Sequence, residues 1–126
     1  MKARRLPCAL VLALLVSTTA AAAPIASPER EIEQLISALG ASGCQFQRNG
    51  SWHDAAQAQA HLRKKYAYLH KRHMVASAEQ FIERAGSESS LSGRAYQVRC
   101  PGRPPVASAA WLRAKLAEIR RTAPSR

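Results

Sequence analysis

Two cysteines and the turn between them place the strongest constraint on how this chain can fold. Cys44 opens an alternating run that ends at Asn49-Gly50, a pair typical of two-residue hairpin turns because both residues tolerate positive φ. Cys100 closes a second alternating run that begins at Arg94. These patterns predict a hairpin and a later third strand in one small antiparallel sheet, with a disulfide between Cys44 and Cys100.

The first 22 residues have the features of a secretory signal peptide. Three basic residues precede an apolar run from Leu6 to Val16, which is too short to span a bilayer as a helix, and small residues follow. We expect cleavage after Ala22, with Ala23 as the alternative, and an uncleaved anchor is the other interpretation. Residues 1–22 would then be removed, and residues 23–126 would form a single α+β domain with a basic C-terminal tail.

Export would place the remaining cysteines in an oxidising compartment. Cys8 lies in the leader, so Cys44 and Cys100 are left as one pair. The loop that they enclose is long, and in the chain-entropy model such a bridge contributes roughly 4 kcal/mol to a domain that is stable by about 5–15 kcal/mol. Two free thiols acting in redox chemistry or metal binding are the alternative, although a Cys-x-x-Cys spacing is absent.

The charge balance favours anionic partners. Without the leader, the chain keeps sixteen basic and eight acidic residues and has a net charge of +8. Such a surplus suits membrane phosphates, acidic polymers, acidic protein surfaces or nucleic acid, and export makes nucleic acid the poorest of these. A positive surface with no specific partner is the alternative. No apolar stretch outside the leader approaches membrane-spanning length, so we expect no transmembrane segment after cleavage.

Periodic apolar residues predict about four helices packed on the sheet. Ser27-Pro28 is a favourable helix start, and the first helix should end at Gly40 or Gly43. The last helix should begin near Ser108, after an irregular proline-rich segment. The residues expected on the buried faces are Ile32, Leu35, Ile36 and Leu39 in the first helix, and Trp111, Leu112, Leu116 and Ile119 in the last.

The second helix should run from about Ala55 to Arg72, after a capping box formed by Asp54 and Gln57. A short third helix should follow Ser77. The second helix carries two stripes, a core stripe of Ala55, Ala58, Leu62, Tyr66 and Leu69, and a basic, partly aromatic stripe of His61, Lys65, Tyr68 and Arg72. Arg63, Lys64 and Lys71 should lie further round, toward solvent. The predicted class is α+β, with a hairpin plus a C-terminal strand, about four helices and one disulfide.

These segments resemble a known family along nearly the whole chain after the leader. The shared features are the C-x-F-x-R-N-G opening at Cys44 and the segments Ala60–Lys65, Ser77–Ile82, Ser89–Gly93 and Trp111-Leu112. In this order they resemble the YfeK-like family of small exported bacterial proteins, a domain of unknown function. The resemblance implies a protein of the Gram-negative periplasm and supplies no activity, cofactor or catalytic residue.

Two kinds of chemistry can be weighed from the residues alone. His70 and His73 have helical spacing, but the neighbouring Lys71 and Arg72 oppose a cation, and we predict no metal site and no cofactor. A serine hydrolase would use a serine of the 87–92 loop with His61 as base, but no G-x-S-x-G elbow is present. A loop rich in hydroxyls usually serves only as a turn.

A binding site is the simpler hypothesis, because hydroxyls and cations lie in segments that a small domain must bring close together. Backbone amides and serines before Arg94 could cradle an anion, and basic side chains could add charge. The candidate ligand-binding residues are Arg48, His61, Lys65, Arg72, Ser89, Ser90, Ser92, Gly93 and Arg94. The alternative is structural: Arg48, His61 and Ser92 would only tie the hairpin, the second helix and the serine loop together.

The sequence therefore favours a non-enzymatic, cationic binding or interaction protein of the periplasm. Its partner would be an anionic component of the cell envelope or an acidic periplasmic protein, and we expect no nucleic acid. The alternative is the small serine hydrolase, with the 87–92 serines and His61. Whether the protein is an enzyme stays open at this point.

Overall fold

The computed structural model describes residues 3–4, 9, 12–17 and 26–123. Cys8, the two expected cleavage sites at Ala22 and Ala23, and the end of the basic tail lie outside the described residues. Eight elements follow in the order α1 (Pro28–Gly40), β1 (Gln45–Arg48), β2 (Ser51–His53), α2 (Ala55–Lys71), α3 (Ala78–Arg84), β3 (Gln97–Arg99), β4 (Val106–Ala107) and α4 (Ser108–Thr122).

Three of the four described helices begin where a capping side chain satisfies one of the first free N–H groups, and α4 begins without such a cap. Ser27 accepts a hydrogen bond from the N–H of Arg30 at 3.2 Å, and a proline occupies the first turn of α1. Asp54 and Gln57 form both bonds of a capping box at α2. Ser77 accepts from the N–H of Gln80 at 3.1 Å, which starts α3. These starts agree with the sequence.

The predicted core faces are confirmed. The fully or largely buried helical residues are Ile32, Leu35, Ile36 and Leu39 in α1, Ala58, Leu62, Tyr66 and Leu69 in α2, Ala78, Phe81 and Ile82 in α3, and Leu112 and Leu116 in α4. Ala55, Trp111 and Ile119 are only partly buried. The four helices pack their apolar stripes on one another and on one side of the sheet, where Phe46 and Val98 are 1% exposed.

The four strands form one antiparallel sheet in the order β2-β1-β3-β4. Asn49 and Gly50 form the β1–β2 turn with φ of 50° and 81°, as the hairpin signal requires. β3 covers only the last part of the alternating run that begins at Arg94. The residues just before β3 pair instead with the serine-rich loop, through a bridge between Glu88 and Ala95. β4 was not predicted, since it has only two residues and directly follows prolines that cannot donate to a ladder.

A disulfide joins Cys44 and Cys100, and it confirms the predicted pairing. The first cysteine lies just before β1 and the second just after β3, so the bridge closes the end of the central strand pair. The α+β class, the small antiparallel sheet and the four helices are confirmed as well. Among the described residues, no helix has both the length and the apolar character needed to cross a membrane.

Candidate functional site

A small cleft lies between α2 and the segment 87–93, which we call the serine loop. Its volume is about 250 Å³. The lining side chains are the cations Lys64, Lys65 and Arg84, the polar His61 and Ser90, and the apolar Tyr68 and Leu69. No carboxylate lines the cleft among the described residues. The cleft is therefore a cationic cavity with an apolar wall.

Helical spacing brings the α2 members of this lining to one face. His61, Lys64, Lys65 and Tyr68 recur at steps of three and four, which places them one above another along the helix. The core stripe runs directly beside them, so His61 and Lys65 are partly buried while Lys64 stays exposed. Three members of the basic stripe predicted from the sequence, His61, Lys65 and Tyr68, thus line the cleft, and its fourth member, Arg72, does not.

The hydroxyl group of Tyr96 joins the polar side chains behind the cleft. His61 Nε2 lies 3.1 Å from the Tyr96 oxygen, and Lys65 Nζ lies 3.2 Å from it. Lys65 also donates to the backbone carbonyl of Glu88 at 3.1 Å. Arg48 Nη1 lies 2.7 Å from His61 Nδ1. The hairpin, α2 and the serine loop therefore meet at one buried tyrosine, Tyr96.

These contacts decide which nitrogen of His61 carries the proton. A guanidinium group can only donate, so Nδ1 accepts from Arg48, and Nε2–H donates to the Tyr96 oxygen. Burial, and after it the charges of Arg48 and Lys65, lower the pKa of His61 from 6.5 to about 4. The ring is therefore neutral at neutral pH. Burial is also the main cause that lowers the pKa of Lys65 and raises the pKa of Tyr96.

The acidic side chains that form ion pairs lie elsewhere on the domain. Glu31 and Glu79 both bind Arg120 of α4, and Glu33 binds Arg63 at 2.6 Å. The remaining pair lies within α4, between Lys115 and Glu118. Across residues 26–123, none of the cations that line the cleft takes part in an ion pair. Their positive charge is therefore left available to a ligand.

The serine loop is held together by its own hydrogen bonds. Ser89 Oγ accepts from the N–H of Ser92 at 3.3 Å, and the N–H of Gly93 donates to the Ser89 carbonyl at 2.9 Å. Ser92 Oγ accepts from the N–H of Arg94 at 3.2 Å and donates to Asn49 Oδ1 at 2.6 Å. The groups expected to cradle an anion at Ser89, Ser92 and Gly93 are thus engaged within the loop and with the hairpin, and only Ser90 lines the cleft.

The remaining predicted cations lie around the cleft or apart from it. The Arg72 guanidinium stacks 3.6 Å from the ring centre of Tyr68 and donates to its carbonyl at 3.0 Å, so it borders the cleft. Arg48 lies behind the cleft through His61. Arg94 lies against the hairpin turn at Gly50 and does not line the cleft.

A wider depression of about 590 Å³ lies beside the disulfide. Two cations line it, Arg99 and Arg103. Arg99 donates to Gln45 Oε1 at 2.5 Å and stacks 4.1 Å from the Trp52 ring. It holds two cations against three in the smaller cleft, and one of the two is already engaged by two side chains, so the smaller cleft is the better candidate for an anion.

Tyr96, Lys64 and Arg84 were not among the predicted site residues. A tyrosine at an inward position of a strand is itself a signal, because a buried phenol needs a polar partner. Lys64 was expected to face solvent only. Arg84 reaches the cleft from α3, where its side chain donates to the Met74 carbonyl, and no local sequence pattern indicates this contact.

The fold and the cleft define a small, disulfide-bonded α+β protein with a cationic cavity at one side. Residues 26–120 match the family described as "Family of unknown function (DUF5329)", and the chain belongs to that family. It is 36% identical over 94 residues to the Uncharacterized protein YfeK of Salmonella typhimurium, in an alignment that covers 74% of this chain and 76% of the relative. The predicted resemblance is thereby confirmed. No solved structure gives a significant match.

Proposed function

We propose that this chain is an exported, non-enzymatic binding protein whose cleft accepts an anionic ligand. One observation carries the proposal: the cleft brings together Lys64, Lys65 and Arg84 without a carboxylate in its lining. A cleft that is lined by charges of one sign raises the local concentration of oppositely charged ligands. None of these cations forms an ion pair within residues 26–123. Lys65 and Arg84 bond only to neutral acceptors and so keep their charge, and Lys64 has no internal partner there for a ligand to displace.

The dimensions of the cleft favour a small charged group. Its volume of about 250 Å³ lies just below the roughly 300–1,000 Å³ typical of sites that enclose drug-sized molecules. Tyr68 and Leu69 add an apolar wall beside the cations. A phosphate or carboxylate group attached to a short apolar part would satisfy both kinds of lining.

Export is part of the proposal and has separate support. The leader has the composition of a signal peptide, and its described residues Leu12, Leu14, Leu15 and Val16 are 77–92% exposed, as expected of a segment that contributes nothing to the core. The Cys44–Cys100 disulfide suits an oxidising compartment such as the periplasm.

The serine hydrolase has no comparable support. In a catalytic triad the histidine contacts the serine with one nitrogen and a carboxylate with the other. Here Nδ1 of His61 faces the Arg48 cation and Nε2 faces Tyr96, so neither nitrogen is left for Ser90. The lowered pKa of His61 would also make it a weak base at neutral pH.

The proposal can be tested by titrating the exported protein with dihexanoyl phosphatidylglycerol as a soluble anionic probe, followed by NMR of the backbone amides. We expect shifts in α2 near Tyr68 and in the serine loop, and weaker shifts with zwitterionic dihexanoyl phosphatidylcholine. Lys64→Gln should weaken binding by about two- to fivefold, the range expected for one exposed charge contact. Arg63→Gln is the matched control, because Arg63 lies next to it but binds Glu33.

Binding should also weaken as salt rises, because screening reduces the attraction between exposed charges. Equal affinity for both probes, or equal effects of Lys64→Gln and Arg63→Gln, would refute an anion site in the cleft.

A further inference from the structure

Large apolar side chains are exposed at four places within residues 26–123: Tyr68, Met74, Leu91 and Val106. Three of these adjoin the cleft. Tyr68 lines it directly, and Leu91 follows Ser90 of the lining. Met74 holds the lining residue Arg84 through its carbonyl. Because apolar exposure is concentrated around the cationic cleft, the two features belong to one surface, which we call the apolar rim (Tyr68, Met74 and Leu91).

Leu91 is the most exposed member of the rim, since 99% of its surface is accessible. Its position is nevertheless fixed, because its N–H donates to Ser89 Oγ at 3.3 Å and the serine loop is tied to the hairpin through Ser92 and Asn49. A leucine held outward on a well-bonded turn can enter an apolar phase without first ordering a flexible loop.

Cations lie on the same surface as the rim residues. Lys64, Lys65 and Arg84 line the cleft, and Arg72 stacks on the ring of Tyr68. Glu88 is the acidic residue beside Lys65, and it reduces the charge of the surface without lining the cleft. The surface therefore combines three exposed apolar side chains with positive charge.

We propose that this surface docks on an anionic phospholipid bilayer, with the apolar rim at the level of the acyl chains and the cations at the phosphates. The inference rests on the proposed function and deepens it by naming the source of the anion. Basic residues near a membrane are attracted by its negative surface potential, and amphipathic tips sit at the interface. An acidic protein fits less well, because stable protein interfaces bury a contiguous apolar core, and three exposed apolar side chains are too few to form one.

The test uses the exported protein, with its N-terminus checked by mass spectrometry so that no leader remains to bind lipid. Sedimentation with phosphatidylcholine vesicles that contain phosphatidylglycerol should carry the protein down, and vesicles of phosphatidylcholine alone should not. Leu91→Ser should lower partitioning several-fold, whereas Val106→Ser, the matched change at the exposed apolar residue outside the rim, should leave it unchanged. Lys64→Gln should lower it roughly fivefold, and Arg63→Gln should not.

A fluorescence arm locates the contact. The emission of Leu91→Trp should shift to shorter wavelength with anionic vesicles, and that of Val106→Trp should not. If the short-chain lipid binds in the cleft but vesicles do not, the docking proposal fails and the proposed function stands. If neither binds, both fail. Equal losses with Leu91→Ser and Val106→Ser, or binding of soluble polyglutamate in preference to anionic vesicles, would also overturn the proposal, the latter in favour of an acidic protein.

Discussion

Folding stability should fall on mild acidification because His61 is held neutral in the folded protein. The pKa of His61 is about 4 when folded, against 6.5 for the unperturbed ring. Below pH 6.5 the unfolded chain therefore binds this proton more readily than the folded chain does. The free energy of unfolding should decrease as the pH falls from 6.5 toward 4, and above 6.5 the contribution should be constant.

The size of the effect follows from the difference between the two pKa values. That difference limits the loss in the free energy of unfolding to about 3 kcal/mol. The ring is only partly buried beside an open cleft, so solvent screening reduces this limit, and we expect a loss of about 1–2 kcal/mol. In a domain of this size such a loss lowers the melting temperature by about 5–10 °C.

The assay compares urea unfolding of the natural protein and of His61→Gln between about pH 7 and about pH 4, because a difference between two chains removes the effect of every other titrating group. A glutamine amide can still accept from Arg48 and donate to Tyr96, but it does not titrate. Between about pH 7 and about pH 4, the natural protein should lose about 1–2 kcal/mol more of its free energy of unfolding than His61→Gln does.

An NMR titration of the His61 ring gives an independent check. Arg48→Met should raise the pKa of His61, because it removes a nearby positive charge. A stability difference between the two proteins that does not change with pH, or a ring that titrates at 6.5, would show that burial and the neighbouring cations do not act as described.

Three further predictions concern the core. Replacing Cys44 and Cys100 together by serine should lower the free energy of unfolding by about 4 kcal/mol, measured by urea unfolding against the oxidised natural protein, and an unchanged midpoint would contradict it. Phe81→Ala should cost about 3–5 kcal/mol by the same assay, because this side chain is fully buried. Gly86→Ala should lower the melting temperature, at a cost of about 1–3 kcal/mol, because its Cβ would lie 2.5 Å from Leu112 Cδ1, and a neutral result would mean that Leu112 moves aside.

The parts of the fold that the sequence predicted correctly depend on local chemistry. A capping side chain acts within three residues, as at Ser27 and at Asp54 with Gln57, and the Asn49-Gly50 turn depends only on the φ angles of its own residues. The buried stripes follow from helical periodicity in the same way. These features could be predicted because no distant contact opposes them.

The features that were missed depend on contacts between distant segments. Tyr96 lies in the alternating run that ends at Cys100, yet its hydroxyl group bonds His61 and Lys65, more than thirty positions earlier. The two-residue strand β4 forms only because the sheet edge at β3 is already in place. Arg84 reaches the cleft because α3 packs on α1 and α4 in a position that brings Arg84 to the Met74 carbonyl just after α2, and no sequence spacing determines that.

The cations of α2 and the hairpin at the cleft have different roles. Arg48 and Lys65 bond to His61, Tyr96 and a backbone carbonyl, so their replacement should disturb both the fold and the cleft. Lys64 makes no such bond among the described residues, although it lines the same cavity. A lysine there adds like charge beside other cations without a compensating internal contact, which folding stability alone does not favour. In the proposed function, a bound anion would supply the contact that Lys64 lacks.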